Sequence, residues 1–319
     1  MKPAPFTYHR AHSVAEAVAL LAELGDEAKI LAGGLSLVPM MNFRLARPTA
    51  LVDVSRIEGL SYLRADTVDG LRIGALTTHR TVEITHDPAV LGGFGVLPRS
   101  ARWIGHYPIR SRGTFGGSIA HADPASEWCL LAVLLDAKVV LNGPGEPRTV
   151  PAAEFFQGYY STAATPDEMI TELWFPTPAP HAVLTEFAQR QGDFAIVAAA
   201  VSADISGGVC QKGRVVLGGV GPLPAEVDTG PLAGQPATEE TWRAMGEHAA
   251  RQIDPPDDTH GDAAFRRRLA ATLVARALAE TNQLNEANQL TEANQLTEAN
   301  RLAEANRLAQ ADELNGGGG

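Results

Sequence analysis

Two glycine-bearing turns constrain this chain more than any other feature. ILAGGLSL occupies residues 30–37, and RSRGTFGGSIAHADPASEW occupies residues 110–128. Glycine loses more conformational freedom on folding than any other residue. A turn stripped of side chains at Gly33 and Gly34, and again at Gly113, Gly116 and Gly117, therefore has to serve a purpose. One purpose is a tight turn leading into a helix, the simpler reading of the second stretch taken alone. The other is close approach: successive bare amides form a concave site for an anion such as a phosphate, with no basic side chain required. Ser36, Thr114 and Ser118 add hydroxyls, and His121, Asp123 and Glu127 follow the second turn. Two such turns could grip two phosphates from both sides. No G-x-G-x-x-G or G-x-x-x-x-G-K-[ST] run occurs in the chain, so a dinucleotide held here is not held in the Rossmann or P-loop manner.

The flanking pattern mixes helices and short strands. HSVAEAVALLAELG reads as a helix with a Ser13/Glu16 capping box, an apolar face of Val14, Val18, Leu21 and Leu24, and a stop at Gly25. KILAGGLSLVP, ALVDVSRI, LRIGAL and AKVVLNG read as strands. Between them, THRTVEITHDPAVLGGFGVLPRSARWIG is helical with a break, and PASEWCLLAVLLD is helical. PDEMITELWFP closes this part, and Pro176, Pro178 and Pro180 mark a boundary. DFAIVAAAVSADIS and GRVVLGGVGPLP then read as strands, before helical stretches around 238–251 and 261–280. This order predicts an α+β fold rather than a doubly wound sheet. Five hexamers of the NQLTEA type run from Asn282 to Ala311. Leucines six apart advance by about 120° per repeat and form no single stripe. Residues 282–319 are expected to be a frayed helix or a disordered appendage.

A formal net charge of −11 argues against a nucleic-acid surface, and no apolar run reaches the ~20 residues that span a bilayer. The opening MKPAPFTYHRAHSVAEAV lacks a signal pattern, so the expected location is the cytoplasm. Cys129 and Cys210, the two cysteines, cannot alone hold an iron–sulfur cluster or a Cys-rich zinc site.

AGGLSLVPMMNFRLARPTALVDVSRI and IRSRGTFGGSIAHADPASEW together resemble the FAD-binding medium subunit of the molybdenum hydroxylases, the carbon monoxide and xanthine dehydrogenase flavoprotein family. The likeness continues through FFQGYYSTAATPDEMITELWFP, QRQGDFAIVAAAV, GGVGPLP and PPDDTHGDAAFRRRLAATLVARALAE, from residue 1 to about 280. It implies a p-cresol-methylhydroxylase-type FAD-binding fold over residues 1–177, with subdomains of about 1–57 and 58–177. A smaller α+β C-terminal domain over 178–281 would follow. It implies that Ile30, Leu31, Ala32, Gly33, Gly34, Leu35, Ser36 and Leu37, with Gly113, Thr114, Gly116, Gly117 and Ser118, bring amides and hydroxyls to the FAD pyrophosphate. His121 packs near the cofactor, Asp123 and Glu127 accept from ribityl or ribose hydroxyls, Ile104 lies against the flavin ring, and Ile170 offers backbone to the ring's polar edge. Leu35 stands where relatives commonly carry Gln, His or Thr. Thr185 and Glu186 stand where some relatives place a lysine near the flavin.

The resemblance further implies electron transfer rather than substrate chemistry, with no substrate acid, base or metal ligand expected on this chain. Molybdopterin would sit on a large partner subunit and [2Fe-2S] clusters on a small one, in a dimer of heterotrimers. Two alternatives stand beside it: a self-contained FAD oxidoreductase on the same fold, and a flavin-free assembly protein. Asp254, Asp257, Asp258, His260 and Asp262 read as a loop and N-cap before a helix rather than a metal site.

Overall fold

The computed structural model describes residues 2–66 and 68–316, with side chains beyond Leu290 described only at Thr297 and Arg301. The first subdomain alternates β1 (Thr7–Arg10), α1 (Val14–Leu24), β2 (Ala28–Leu31), α2 (Leu37–Asn42) and β3 (Ala50–Asp53). Its three strands form a parallel sheet in the order β1-β3-β2. The Ser13 hydroxyl accepts from the Glu16 amide at 3.1 Å, and the Glu16 carboxylate accepts from the His12 amide at 2.7 Å. This reciprocal cap starts α1, which buries Ala17, Val18 and Leu21 against Ala28, Ala50 and Val52 of the sheet.

The second subdomain begins with β4 (Leu63–Asp66) and β5 (Gly70–Gly74). Six helices follow: α3 (His79–Glu83), α4 (Pro88–Phe94), α5 (Val96–Ser100), α6 (Tyr107–Arg110), α7 (Phe115–His121) and α8 (Glu127–Leu134). Next come β6 (Lys138–Asn142), β7 (Arg148–Pro151), α9 (Ala152–Phe155), the small hairpin β8 (Phe156–Gly158) and β9 (Ser161–Thr162), and β10 (Met169–Phe175). An antiparallel sheet of order β4-β5-β10-β6-β7 forms the frame. It packs on α7 and α8 through Phe115, Ile119, Trp128 and Leu131, which are fully buried.

The third unit is a four-stranded antiparallel sheet, β11 (Val183–Phe187), β12 (Val197–Ser206), β13 (Val209–Gly218) and β14 (Ala225–Val227), with α10 (Glu239–Arg251) and α11 (Ala263–Gly316). Both faces of β12 are covered, which explains its unbroken apolar run VAAAV. Val197, Ala199 and Val201 pack with Trp242, Met245 and Val274 of the two helices. Ala198 and Ala200 enter the core of the second subdomain instead. The α+β class expected from the sequence is the one observed.

The hexamer region departs from expectation at its start. α11 runs unbroken for 54 residues, and the first repeats dock on the sheet. Asn285 is buried, and its amide donates to the Ile205 carbonyl at 2.9 Å. Gln289 reaches the same carbonyl at 3.5 Å, and Asn288 meets the His181 ring at 2.9 Å. The physical reason is that Ile205 at the end of β12 has an open acceptor, and the repeat's polar side chains satisfy it. The side chains of the later repeats lie outside the described residues, apart from Thr297 and Arg301.

Candidate cofactor site

The two glycine turns meet. A Cβ on Gly33 would stand 2.2 Å from the Arg112 carbonyl oxygen and 3.0 Å from Gly113 Cα. Gly33 is therefore bare because the second turn occupies the place of its side chain. Gly34 has φ +74°, a left-handed conformation that a side chain would strain. The backbone N–H groups of Gly33, Gly34, Leu35 and Ser36 donate to no acceptor among the described residues. These residues are half-buried rather than part of the core. Four consecutive donors without acceptors suit an anion supplied from outside the chain.

The second turn works differently from the expectation for it. The Gly113 amide donates to Ile109 at 2.7 Å and the Gly116 amide to Ala75 at 2.9 Å, and both glycines are buried. A Cβ would lie 2.7 Å from His79 Nε2 at Gly113 and 2.6 Å from Ala75 Cβ at Gly116. These two glycines hold the turn against β5 and α3, and both of their amides are used within the chain. Gly117 is the exception, exposed and with only Thr114 near its absent side chain. Thr114 caps α7 by accepting from the Gly117 amide at 3.1 Å. The Ser118 hydroxyl lies 2.9 Å from that of Ser126, which ties α7 to the start of α8.

Beyond the turn, Ala122 takes a left-handed conformation at φ 52° and swings the chain towards Asp123. Asp123 accepts from the Ala125 amide at 2.9 Å and from the Tyr160 hydroxyl at 3.5 Å. The His121 ring tilts against that of Tyr160, their centroids 5.0 Å apart. Burial lowers the His121 pKa against an opposing effect of Asp123. Glu127 opens α8, and burial raises its carboxyl above the usual range, with the Glu186 and Asp123 charges adding to the shift. The loop at Ile104 is held by Arg110, which donates to the Gly105 carbonyl at 2.8 Å and pairs with Glu83 at 2.9 Å. Ile170 is buried beside a bulge in β10, which leaves its backbone rather than its side chain for contacts beyond the core.

One residue of this region, His79, was not singled out from the sequence. His79 donates its backbone N–H to Gly113 at 3.0 Å, and its Nδ1 accepts from Trp128 Nε1 at 2.9 Å. Trp128 stacks on Phe115 at 4.5 Å. Burial pushes the His79 pKa down to about 4, with Arg110 adding to the effect, so the imidazole is neutral and rigidly placed behind the turn. It carries no local signal, because it acts across a long sequence separation. Glu186 on β11, named from the sequence for standing where some relatives place a lysine, also has its carboxyl raised by burial. Asp254 and Asp258 pair with Arg267 and Arg266, and Asp262 accepts from the Phe265 amide at 2.6 Å, as a loop and cap should. Among the described residues no cluster of His, Cys, Asp and Glu is suited to a metal ion.

The family described as the FAD binding domain in molybdopterin dehydrogenase matches residues 4–178. The CO dehydrogenase flavoprotein C-terminal domain matches residues 182–281. The chain belongs to this flavoprotein family. The alpha subunit of the 6-hydroxypseudooxynicotine dehydrogenase complex of Paenarthrobacter nicotinovorans is 37% identical, over 88% of this chain and 95% of the relative. The carbon monoxide dehydrogenase medium chain of Hydrogenophaga pseudoflava is 36% identical, over 87% and 97% respectively. The solved carbon monoxide dehydrogenase of that organism superposes with a TM-score of 0.84 at 36% identity, covering 89% of this chain and 99% of that one. Quinoline 2-oxidoreductase from Pseudomonas putida 86 gives the same score at 33% identity, over 89% and 99%. The residues present are of the kind FAD requires: unpartnered amides at 33–36 suit a pyrophosphate, and carboxylates such as Asp123 and Glu127 suit hydroxyl groups. No helix of the described residues is long and apolar enough to cross a membrane.

Proposed function

We propose that this chain is the electron-transferring FAD subunit of a heteromeric molybdopterin-dependent dehydrogenase. The observation that carries the reading is the meeting of the two turns at Gly33 and Arg112, beside four consecutive unpartnered amides. Bound FAD would supply a ring that accepts electrons from [2Fe-2S] clusters of a small partner subunit and passes them to an external acceptor. The chain's residues place and surround it. The amides from Gly33 to Ser36 would hold the pyrophosphate, with Ile30, Leu31, Ala32 and Leu37 shaping that turn and the bare Gly117 leaving room on the other side. Asp123 and Glu127 would accept from sugar or ribityl hydroxyls. Ile104 would pack on the ring, and the backbone at Ile170 would meet its polar edge. Leu35 directs no polar side chain at the cofactor, so its contribution is its amide.

Substrate oxidation would belong to the molybdopterin of a large subunit, and the whole would assemble in the cytoplasm as a dimer of heterotrimers. Purification from the native host with metal analysis tests this. Recovery of a large molybdenum-containing partner and a small iron-containing one supports it. A folded, FAD-loaded chain that oxidises a substrate unaided would replace it with a self-contained oxidoreductase, and a folded chain without flavin in an intact complex would make it an assembly protein.

A further inference from the structure

The far end of α2 thrusts two large apolar side chains into solvent. α2 leads away from the amides of Gly33 to Ser36, and beyond its last residue, Asn42, the run Phe43-Arg44-Leu45 reverses the chain. Phe43 is 66% exposed and Leu45 77%. Single apolar residues are ordinary on a surface, but large ones grouped on one protrusion mark an interaction site. The protrusion is ordered. The Phe43 amide donates to the Pro39 carbonyl at 3.0 Å, Arg44 to Met41 at 3.0 Å and Leu45 to Met40 at 2.9 Å. Arg44 stands at φ +58°, a left-handed conformation disfavoured for any residue with a Cβ. Met41 and Pro48, on either side of the turn, are buried and anchor it. A fixed backbone leaves little to be ordered when a partner covers these side chains, which favours binding.

The charges around the turn have one sign. Between Glu27 and Asp53 the chain carries Lys29, Arg44 and Arg47 and no acidic residue, although its net charge is −11. Arg44 Nε donates to the Lys2 carbonyl at 3.5 Å, which brings the N-terminal stretch alongside, and Arg47 Nε donates to the Arg44 carbonyl at 3.1 Å. Both guanidinium groups therefore bond backbone oxygens, and neither pairs with a carboxylate among the described residues.

We propose that the Phe43–Leu45 turn is a docking knob that seats in an apolar pocket, rimmed by carboxylates, on a partner subunit of the complex. This rests on the heteromeric reading above. Phe43 and Leu45 supply the apolar anchor, and Arg44 and Arg47 pair with the rim, which sets orientation and selects against basic partners. A second copy of this chain fits less well, because two chains of net charge −11 repel. The six residues of α2 separate the knob from the unpartnered amides by about 9 Å, so a subunit seated here lies close to the cofactor turn.

The full-length chain, tagged and expressed in its native host, would be purified together with the subunits that bind it. Phe43→Ser combined with Leu45→Ser should lower recovery of one partner subunit by at least about tenfold, as loss of a central apolar anchor does. Both positions face solvent, so circular dichroism and flavin uptake should match the wild-type chain. Val68→Ser, at an apolar residue 87% exposed between β4 and β5, is the control and should recover every partner. Arg44→Glu combined with Arg47→Glu should lose the same subunit, and decides the question should the serine variant fail to fold. Wild-type recovery of every partner by the folded serine variant, or by the glutamate variant, overturns the proposal, as does an equal loss in Val68→Ser. A wild-type chain that is a dimer by light scattering, and that the serine pair makes monomeric with its partners still bound, overturns it too, because the knob then joins two copies. A wild-type chain that recovers no partner at all overturns the heteromeric reading itself, a result distinct from partners that bind regardless of the knob.

Discussion

Replacing Gly33 by alanine should push the two glycine turns apart without touching any group that carries chemistry. The added Cβ would lie 2.2 Å from the Arg112 carbonyl oxygen, where ordinary contact begins at 3.4 Å. The turns must then separate by roughly 1 Å, because the obstacle is backbone that no rotamer change can clear. A hydrogen bond of about 2.9 Å stretched by that amount passes beyond useful range. Each such bond to a charged acceptor contributes about 1.5–3 kcal/mol. Loss of two of the four that Gly33 to Ser36 would make costs at least about 3 kcal/mol, more than a hundredfold in FAD affinity. Gly92→Ala, in α4 with nothing within 4 Å of the new carbon, is the control and should bind normally. Flavin titration of both variants, with circular dichroism to verify folding, reads the difference. A folded Gly33→Ala chain that binds FAD as tightly as wild type would refute the role given to the meeting of the turns.

Other perturbations separate the parts of the account. Gly117→Asp puts an anion at the exposed glycine of the second turn, whose only neighbour there is Thr114, and should lower FAD occupancy by at least about a hundredfold, while Gly145→Asp, with nothing within 4 Å of the new carbon, should not; equal occupancy in the two variants would argue against a phosphate near Gly117. His79 has a folded pKa of about 4 against an ordinary 6.5, so the unfolded chain takes up a proton that the folded one refuses. Stability should fall as pH drops from about 6.5 to about 4, by up to about 3 kcal/mol, and His79→Gln should remove that part of the slope in chemical denaturation; an unchanged slope would remove His79 from the explanation. Deleting 282–319 removes Asn285 from the Ile205 carbonyl and should cost about 1–3 kcal/mol more than deleting 291–319 alone. Equal melting temperatures for the two truncations would show that the first repeat is not part of the fold.

Local chemistry made much of the architecture legible. The Ser13/Glu16 pair starts α1 where its hydroxyl accepts a helix amide, and the unbroken apolar run in DFAIVAAAVSADIS becomes a strand buried on both faces. What stayed hidden depends on contacts between distant residues. Nothing around Gly33 signals that Arg112 fills its side-chain space, and Gly113 and Gly116 look like phosphate glycines until Ile109 and Ala75 are seen accepting their amides. Asn285 belongs to a repeat whose spacing forms no stripe, and only the open carbonyl at Ile205 gives its first copy a place to dock.

The most direct test of the central claim is the flavin and iron content of the purified full-length chain. Acid extraction should release about one FAD per chain, noncovalently bound, with a flavin absorbance spectrum and no stoichiometric iron. A folded chain that holds iron by itself, or that carries no flavin after gentle purification and takes up none when FAD is added, would contradict the account.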